Sequence, residues 1–171
     1  MNNRYHISSN LLKESYSVWW WQIYQKSFLL MAAVFVVMLV LYLTADGEKA
    51  YYLFGLLLPP MFCIFMPYHR MRALKQTAKR FDQTYQHQEP FVSYDFYEEE
   101  FTQTIGEKVS RIPYQNVEKV IETKDAWVLI LYGKMFCMLK KNGFSGFDST
   151  DICSFLQAKN KKVKIKRRKR Q

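Results

Sequence analysis

Acidic, hydroxyl and imidazole side chains carry most enzyme chemistry, and this sequence does not arrange them for catalysis. Three carboxylates are adjacent at Glu98–Glu100. Because neighbouring residues of a strand point to opposite faces, we expect these carboxylates not to converge but to form a solvated face or protect an edge strand. Ser110 and Ser145 have no nearby histidine that would activate a nucleophile. Enzymatic activity is therefore not expected.

The cysteines and histidines are not spaced as metal ligands. Cys63, Cys137 and Cys153 stand singly, without CxxC spacing, and no histidine has ligand-like spacing to any of them. Free thiols on a reducing side of a membrane are the expected state. We predict no metal site and no cofactor.

Basic residues at the C-terminal end give the strongest chemical signal. The chain has 25 Lys and Arg against 15 Asp and Glu, and its last segment, KNKKVKIKRRKR, contains no acid. Such blocks are usually disordered and bind polyanions. Anionic lipid is the favoured ligand, and nucleic acid is the less favoured rival because the segment lacks aromatic stacking platforms. The predicted lipid-binding residues are Lys159, Lys161, Lys162, Lys164, Lys166, Arg167, Arg168, Lys169 and Arg170.

Two further features belong to this basic end of the chain. Val163 and Ile165 alternate with lysines, so a short strand extending from the preceding domain is the alternative to disorder. In the loop KKNGFSGF, Lys140 and Lys141 are candidate contacts for a lipid headgroup or an acidic partner. The glycines of that loop do not have P-loop spacing, and an ordinary turn at a strand end is the alternative.

Two long apolar segments predict where these groups are held. Ser27–Thr44 and Ala50–Tyr68 contain no charged residue. A helix that crosses the hydrocarbon of a bilayer needs about 20 apolar residues. We therefore predict a transmembrane helical hairpin over residues 24–68, with spans at about 24–44 and 50–68.

Two prolines and three tryptophans refine that hairpin. Pro59 and Pro60 should kink the second span, and a packing kink is favoured over a transport site because neither apolar run contains a charged residue. Trp19, Trp20 and Trp21 precede the first span and predict an interfacial anchor at headgroup level. The alternative is that these tryptophans pack on the soluble domain.

Loop charges predict the orientation of the hairpin. Arg70, Arg72 and Lys75 follow the second span, whereas the connecting ADGEK has two acids and one lysine. Because positive residues remain cytoplasmic, both termini should lie on the cytoplasmic side of the cell membrane. The same three basic residues should favour anionic lipid headgroups.

The remaining segments predict a small α+β domain. Residues 1–23 indicate a strand at NRYHIS and an amphipathic helix capped by Ser9 or Asn10, and residues 69–88 a stalk helix. Residues 89–158 predict a small antiparallel pleckstrin-homology-like barrel or sheet with a C-terminal helix, and residues 159–171 the disordered polybasic tail. The strands of the predicted domain should lie near 91–97, 99–105, 108–113, 117–123, 126–132 and 134–140, before a helix at 151–159.

Three features stand together in the second half of the chain: the segment IPYQNVEKVIETKDAWVLIL, the segment KMFCMLKKNGF and the Asp/Ser/Thr-initiated helix that follows. In these features the chain resembles the YcxB-like bacterial membrane proteins. These motifs cover about residues 110–158. The resemblance implies two spans followed by a pleckstrin-homology-like domain, and it implies no particular activity.

These features together predict a non-enzymatic integral membrane protein. Its cytoplasmic domain would bind an unknown protein partner or a second copy of the chain, while the tail contacts anionic lipid. One alternative is a self-immunity protein that captures a membrane-active toxin or bacteriocin. Another is an accessory subunit of a transporter, or an enzyme.

Overall fold

The computed structural model of the chain describes residues 1–44, 49–85, 89–146 and 148–167. The chain divides into one unit made of Met1–Trp19 and Ala78–Gln171 and a second unit made of Trp20–Thr77. The helices are α1 (Ser9–Thr44), α2 (Ala50–Thr84) and α3 (Ile152–Lys159). The strands are β1 (Asn2–His6), β2 (Phe91–Phe96), β3 (Glu100–Ile105), β4 (Lys108–Pro113), β5 (Val117–Glu122), β6 (Ala126–Leu131), β7 (Met135–Lys140), β8 (Phe144–Ser145) and β9 (Lys164–Lys166).

The strands of the first unit form two sheets. The first sheet has the order β4-β3-β2-β1-β8, and all its neighbouring strands are antiparallel. The second sheet has the order β7-β6-β5-β9, in which β9 joins β5 in parallel and the other pairs are antiparallel. The predicted α+β class, with antiparallel strands and a helix after them, is therefore confirmed. The N-terminal strand predicted at NRYHIS is β1, and it lies between β2 and β8.

The two sheets do not close into the expected barrel. Where β1 meets β7, the Tyr5 hydroxyl donates to the carbonyl of Met138, and the Asn3 amide donates to the carbonyl of Lys140 at 2.8 Å. These bonds run from side chains to the backbone, so they replace the backbone ladder that a closed barrel needs at this edge. The sheets are consequently joined but open.

The core of the first unit lies between the sheets and under α3. Tyr94, Phe101 and Leu129 are fully buried there, as are Ile152 and Leu156 of α3. The alternating apolar residues of β2 and β3 supply one wall of this core, as expected for strands with one face on the core. Helix α3 closes it from the side.

Helix α1 begins within the first unit. The Ser8 hydroxyl accepts the backbone N–H of Leu11 at 3.3 Å, so Ser8 caps the helix rather than the predicted Ser9 or Asn10. The chain leaves β1 only at Ile7, whose N–H donates to the carbonyl of Pro90 at 3.0 Å. This bond extends the strand geometry to Ile7 and places the cap at the next residue.

In the second unit, α1 and α2 pack closely against each other. A Cβ atom at Gly55 would lie 2.7 Å from the sulfur of Met38, so the glycine permits this approach. The rings of Phe28 and Phe62 also meet, with centroids 5.4 Å apart. Helix α2 continues to Thr84, so the predicted stalk extends the second apolar helix.

The outward surfaces of these two helices are apolar. Leu43, Phe54 and Ile64 are 69%, 74% and 70% exposed. Both helices are long and apolar enough to cross a membrane. Pro59 and Pro60 lie inside α2, and the kink that they should produce stays a prediction.

Candidate anion-binding site

The segment after α3 does not stay disordered along its whole length. Val163 is buried, and Ile165 packs against the core of the first unit. Strand β9 is formed by Lys164–Lys166, so it includes Ile165 and begins directly after Val163. The structure therefore differs from the disordered tail predicted over 159–171 and forms the short strand that was the alternative, because two apolar side chains reach the core.

Asn160 makes the turn that starts β9. Its side-chain amide donates to the carbonyls of Tyr114 at 3.1 Å and Val117 at 3.2 Å. Its side-chain oxygen accepts the N–H of Lys162 at 3.0 Å. Its backbone N–H ends α3 by donating to the carbonyl of Leu156 at 2.8 Å. One residue thus holds three places together: its backbone N–H bonds to the end of α3, and its side chain bonds to the start of β5 and to the turn into β9.

The pairing of β9 with β5 brings lysines together. Lys164 lies beside Lys119, and Lys166 lies beside Ile121. Because side chains alternate along a strand and Ile165 points into the core, Lys164 and Lys166 stand on the opposite, outer face of the second sheet. Lys119 shares that face.

The electrostatics of Lys119 agree with this placement. Its pKa is lowered, first by partial burial of its ammonium group and then by the positive charges of Lys166 and Lys164. Burial and like charge both disfavour the protonated form of a lysine. An anion bound among the three groups would relieve the repulsion.

The start of α1 covers the rest of this outer face. Val18 and Trp19 pack against a cluster of Ile121, Val128 and Ile130. The rings of Trp19 and Phe136 lie 5.5 Å apart. Trp19 thus packs on the soluble domain, which was the alternative to an interfacial anchor.

The other basic residues of the tail are placed differently. Lys161 and Lys162 are exposed in the turn before β9. Lys159 ends α3, with its ammonium group 6.0 Å from the centre of the Phe155 ring. Burial raises the pKa of the Cys153 thiol, and the interaction of Arg167 with that thiol partly offsets the rise. The predicted sites Arg168, Lys169 and Arg170 lie outside the described residues.

The remaining tryptophans and the predicted juxtamembrane bases belong to the second unit. The guanidinium of Arg70 lies 5.4 Å from the centre of the Trp20 ring, a cation–π contact. Trp21 is 49% exposed. Arg72 and Lys75 are exposed on α2.

The loop predicted to contact a ligand instead makes contacts within the protein, at the end of a strand. The ammonium group of Lys141 donates to a carboxylate oxygen of Glu122 at 2.9 Å and to the carbonyl of Thr123 at 2.8 Å. It also lies 5.5 Å from the centre of the Trp127 ring. The carbonyl of Lys140 accepts the bond that joins β7 to β1. These contacts support the ordinary-turn interpretation of this loop.

The three adjacent carboxylates were expected not to converge, but the structure brings them to one cavity. Glu98–Glu100 line this cavity of about 810 Å³ together with Tyr97 and Lys159. Strand β3 begins only at Glu100, so the first two glutamates lie in a bend where strand alternation does not apply. Across the described ranges, no three His, Cys, Asp or Glu side chains are grouped to hold a metal ion.

Comparison with known proteins adds one finding. Residues 96–152 match the YcxB-like protein family. The match confirms the resemblance drawn from the sequence, and it runs from the end of β2 to the start of α3, a third of the 171-residue chain. No curated protein and no solved structure gives a match.

The YcxB-like segment contains Lys119 but not β9 or the two apolar helices. Sequence reasoning missed Lys119, because a single lysine in a strand has no signal of its own. Only the alternation of Val163 and Ile165 with lysines indicated that a further strand would pair nearby.

Proposed function

We propose that this chain is a non-enzymatic integral protein of the cell membrane. It holds a binding module at the cytoplasmic side, where basic residues of the C-terminal segment contact anionic lipid. The observation that carries the proposal is the pair of helices whose outward surfaces are apolar. A soluble protein rarely exposes so large an apolar surface, whereas a bilayer solvates it.

The orientation follows from charge. Arg70, Arg72 and Lys75 follow the second apolar segment, while the connection between the helices carries Asp46 and Glu48 beside one lysine. Positive flanks remain on the cytoplasmic side of bacterial-type membranes. We therefore place both termini, and with them the first unit, in the cytoplasm.

The first unit is proposed to be a binding module with an opened pleckstrin-homology-like fold. The order of the elements supports the relation to a pleckstrin-homology-like fold. Strands β1–β4 lie in one sheet, strands β5–β7 lie in the other, and α3 follows them. Its partner would be another protein or a second copy of the chain. The basic C-terminal segment would hold the module on the inner leaflet, with each engaged base contributing about 1 kcal/mol.

Cysteine labelling in intact cells tests the membrane topology. In a Cys63→Ala background, Gly47→Cys should react with a membrane-impermeant thiol reagent, whereas Ser110→Cys should react only after the cells are permeabilised. Cys137 and Cys153 are buried and serve as the unlabelled baseline. If Ser110→Cys alone were labelled in intact cells, the orientation would be opposite to the proposed one. If alkaline carbonate released the protein, it would not be an integral membrane protein.

A further inference from the structure

Two adjacent prolines in α2 leave two backbone carbonyls without their usual hydrogen-bond donor. Pro59 and Pro60 both lie inside this helix. In an α-helix the carbonyl of each residue accepts the N–H of the residue four positions later, and proline has no N–H. The carbonyls of Gly55 and Leu56 therefore have no donor at the place where the helix normally supplies one.

The two carbonyls lie on different sides of the helix, because each lies beneath the residue four positions later. The Gly55 carbonyl is on the side of Pro59, which is buried where Gly55 packs against Met38 of α1. The Leu56 carbonyl is on the side of Pro60, which is exposed. A partner outside the pair of helices can thus reach the Leu56 carbonyl but not the Gly55 carbonyl.

The surface around the Leu56 carbonyl is apolar. Leu53, Leu57 and Ile64 lie on the same side of α2 as Pro60 and are 48%, 56% and 70% exposed. Leu56 stands about 9 Å from the start of α2, measured along the helix axis. When α2 crosses a bilayer, this depth is in the hydrocarbon, where water does not replace a missing donor and an unpaired carbonyl is strongly unfavourable.

The two apolar segments contain no side-chain donor near this carbonyl. Among the described residues of 27–44 and 50–68, the side chains that can donate are Ser27, Tyr42, Thr44, Tyr51, Tyr52, Cys63 and Tyr68. The tyrosines at the start of α2 tilt towards its first residue, away from Leu56. On α1, the Tyr42 ring lies against the ammonium group of Lys49, before α2 begins. Cys63 is seven residues beyond Leu56, about 10 Å along the helix.

A second copy of the chain does not supply the donor at this depth. Copies inserted in the same orientation place each residue at the same depth as its counterpart, so the donors of a second copy also stand near the ends of its spans. Its Cys63 is again about 10 Å from the depth of Leu56. The carbonyl therefore fits a different transmembrane helix, one that carries a hydroxyl or amide side chain at this depth.

We propose that the outward face of α2 around Pro60 is a docking surface for a transmembrane helix of another protein. A hydroxyl or amide side chain of that helix donates to the Leu56 carbonyl, while Leu53, Leu57 and Ile64 pack against its apolar residues. The proposal rests on the proposed function, because it requires α2 to cross the bilayer, and it names the kind of protein that the chain binds.

Binding of a model transmembrane peptide in phosphatidylcholine vesicles tests this surface. The probe is a polyleucine helix with one central asparagine, and the same peptide with leucine at that position is its control. Energy transfer is measured from a donor dye on Gly47→Cys of the full chain, in a Cys63→Ala background, to an acceptor dye on the peptide. The asparagine peptide should bind about fivefold more tightly than the leucine peptide.

The adjacent prolines provide a matched pair of variants. Pro60→Ala restores a donor for the outward carbonyl of Leu56, so the preference for the asparagine peptide should disappear. Pro59→Ala restores a donor for the inward carbonyl of Gly55, so the preference should remain about fivefold. Each variant keeps one of the two prolines, and circular dichroism verifies that both remain helical.

The outcomes separate the docking surface from the proposed function. Equal binding of the two peptides by the unchanged chain, or an equal loss of preference in the two proline variants, would overturn the docking surface. Extraction of the chain from the vesicles by alkaline carbonate would overturn the proposed function as well. If the full chain associates with itself and Pro60→Ala abolishes that association, a second copy is the occupant and the assignment to another protein is overturned.

Discussion

Strands β6 and β4 show how differently the two sheets of the first unit are covered. All six residues of β6 are buried, whereas five of the six residues of β4 are exposed. Strand β6 has the core on one face and the start of α1 on the other. Among the described strands, β4 is an edge strand that pairs with β3 alone. A central strand buried on both faces gives a continuous apolar run.

The same comparison locates the candidate site. The start of α1 covers the outer face of the second sheet over β6 and β7, and the lysines of β5 and β9 stand where that cover ends. Among the residues that the structure describes, the first sheet has no equivalent, because its exposed outer face carries dispersed pairs such as Arg4 with Asp95, 3.7 Å apart. The ordered basic group is thus a property of the second sheet.

The largest effect should come from the doubly covered strand. Leu129→Ala in β6 should lower the free energy of unfolding of the first unit by about 3 kcal/mol, because it leaves a cavity in a fully buried position. Val109→Ala, at a residue of β4 that is 61% exposed, should change it by less than about 0.5 kcal/mol. Hydrogen exchange of the β6 amides in uncharged detergent measures both. Similar losses would mean that the sheets are covered alike.

A smaller effect should follow from removing the cover itself. Trp19→Ala should cost about 2 kcal/mol in the same measurement, since Trp19 packs on the outer face of the second sheet. Trp21→Ala, in the second unit, should leave the β6 amides unchanged within about 0.5 kcal/mol. If the two substitutions act equally, α1 does not cover the sheet.

The smallest effect should appear only in alkali. Burial raises the pKa of the Cys137 thiol from 9.0 to about 12. The folded state keeps this proton while the unfolded state loses it above pH 9, so stability is full below pH 9 and falls as the pH rises towards 12. At pH 10 the loss should be about 1 kcal/mol.

The alkaline loss is measured as the thermal midpoint between pH 7 and pH 11. Cys137→Ala should flatten the decline above pH 9, and Cys63→Ala should follow the unchanged chain. Burial also raises the pKa values of the Cys153 thiol and of Tyr5 and Tyr94, so part of the decline should persist in both variants. A decline that Cys137→Ala leaves untouched would contradict a buried, protonated thiol.

Local patterns were enough to predict the strands from β2 to β7. Their predicted bounds agree with the structure within about a residue, because apolar runs end at turn residues. Gly106 and Gly133 occupy two of these turns with positive φ values of 58° and 78°, a backbone conformation that glycine adopts without strain. The two apolar helices could be predicted equally well, because each contains a long run without charged residues.

Contacts between distant segments could not be predicted. Asn2–His6 pairs with Phe91–Phe96 across a separation that includes both long helices. The cover that Trp19 gives to β6 and β7, and the neighbourhood of Lys119 and Lys164, arise in the same way. Sequence periodicity reports the face of an element that is buried, but it does not report the partner that buries it.

The pairing of β9 with β5 is the claim on which the lysine site depends, and hydrogen exchange of the full chain in uncharged detergent tests it most directly. Backbone amides of Lys164–Lys166 that bond to β5 should exchange at least about a hundredfold more slowly than an unprotected chain, and Asn160→Ala should accelerate them. The exposed amide of Lys161 provides the reference within the same peptide. Exchange of Lys164–Lys166 at the unprotected rate would contradict the strand and the site built on it.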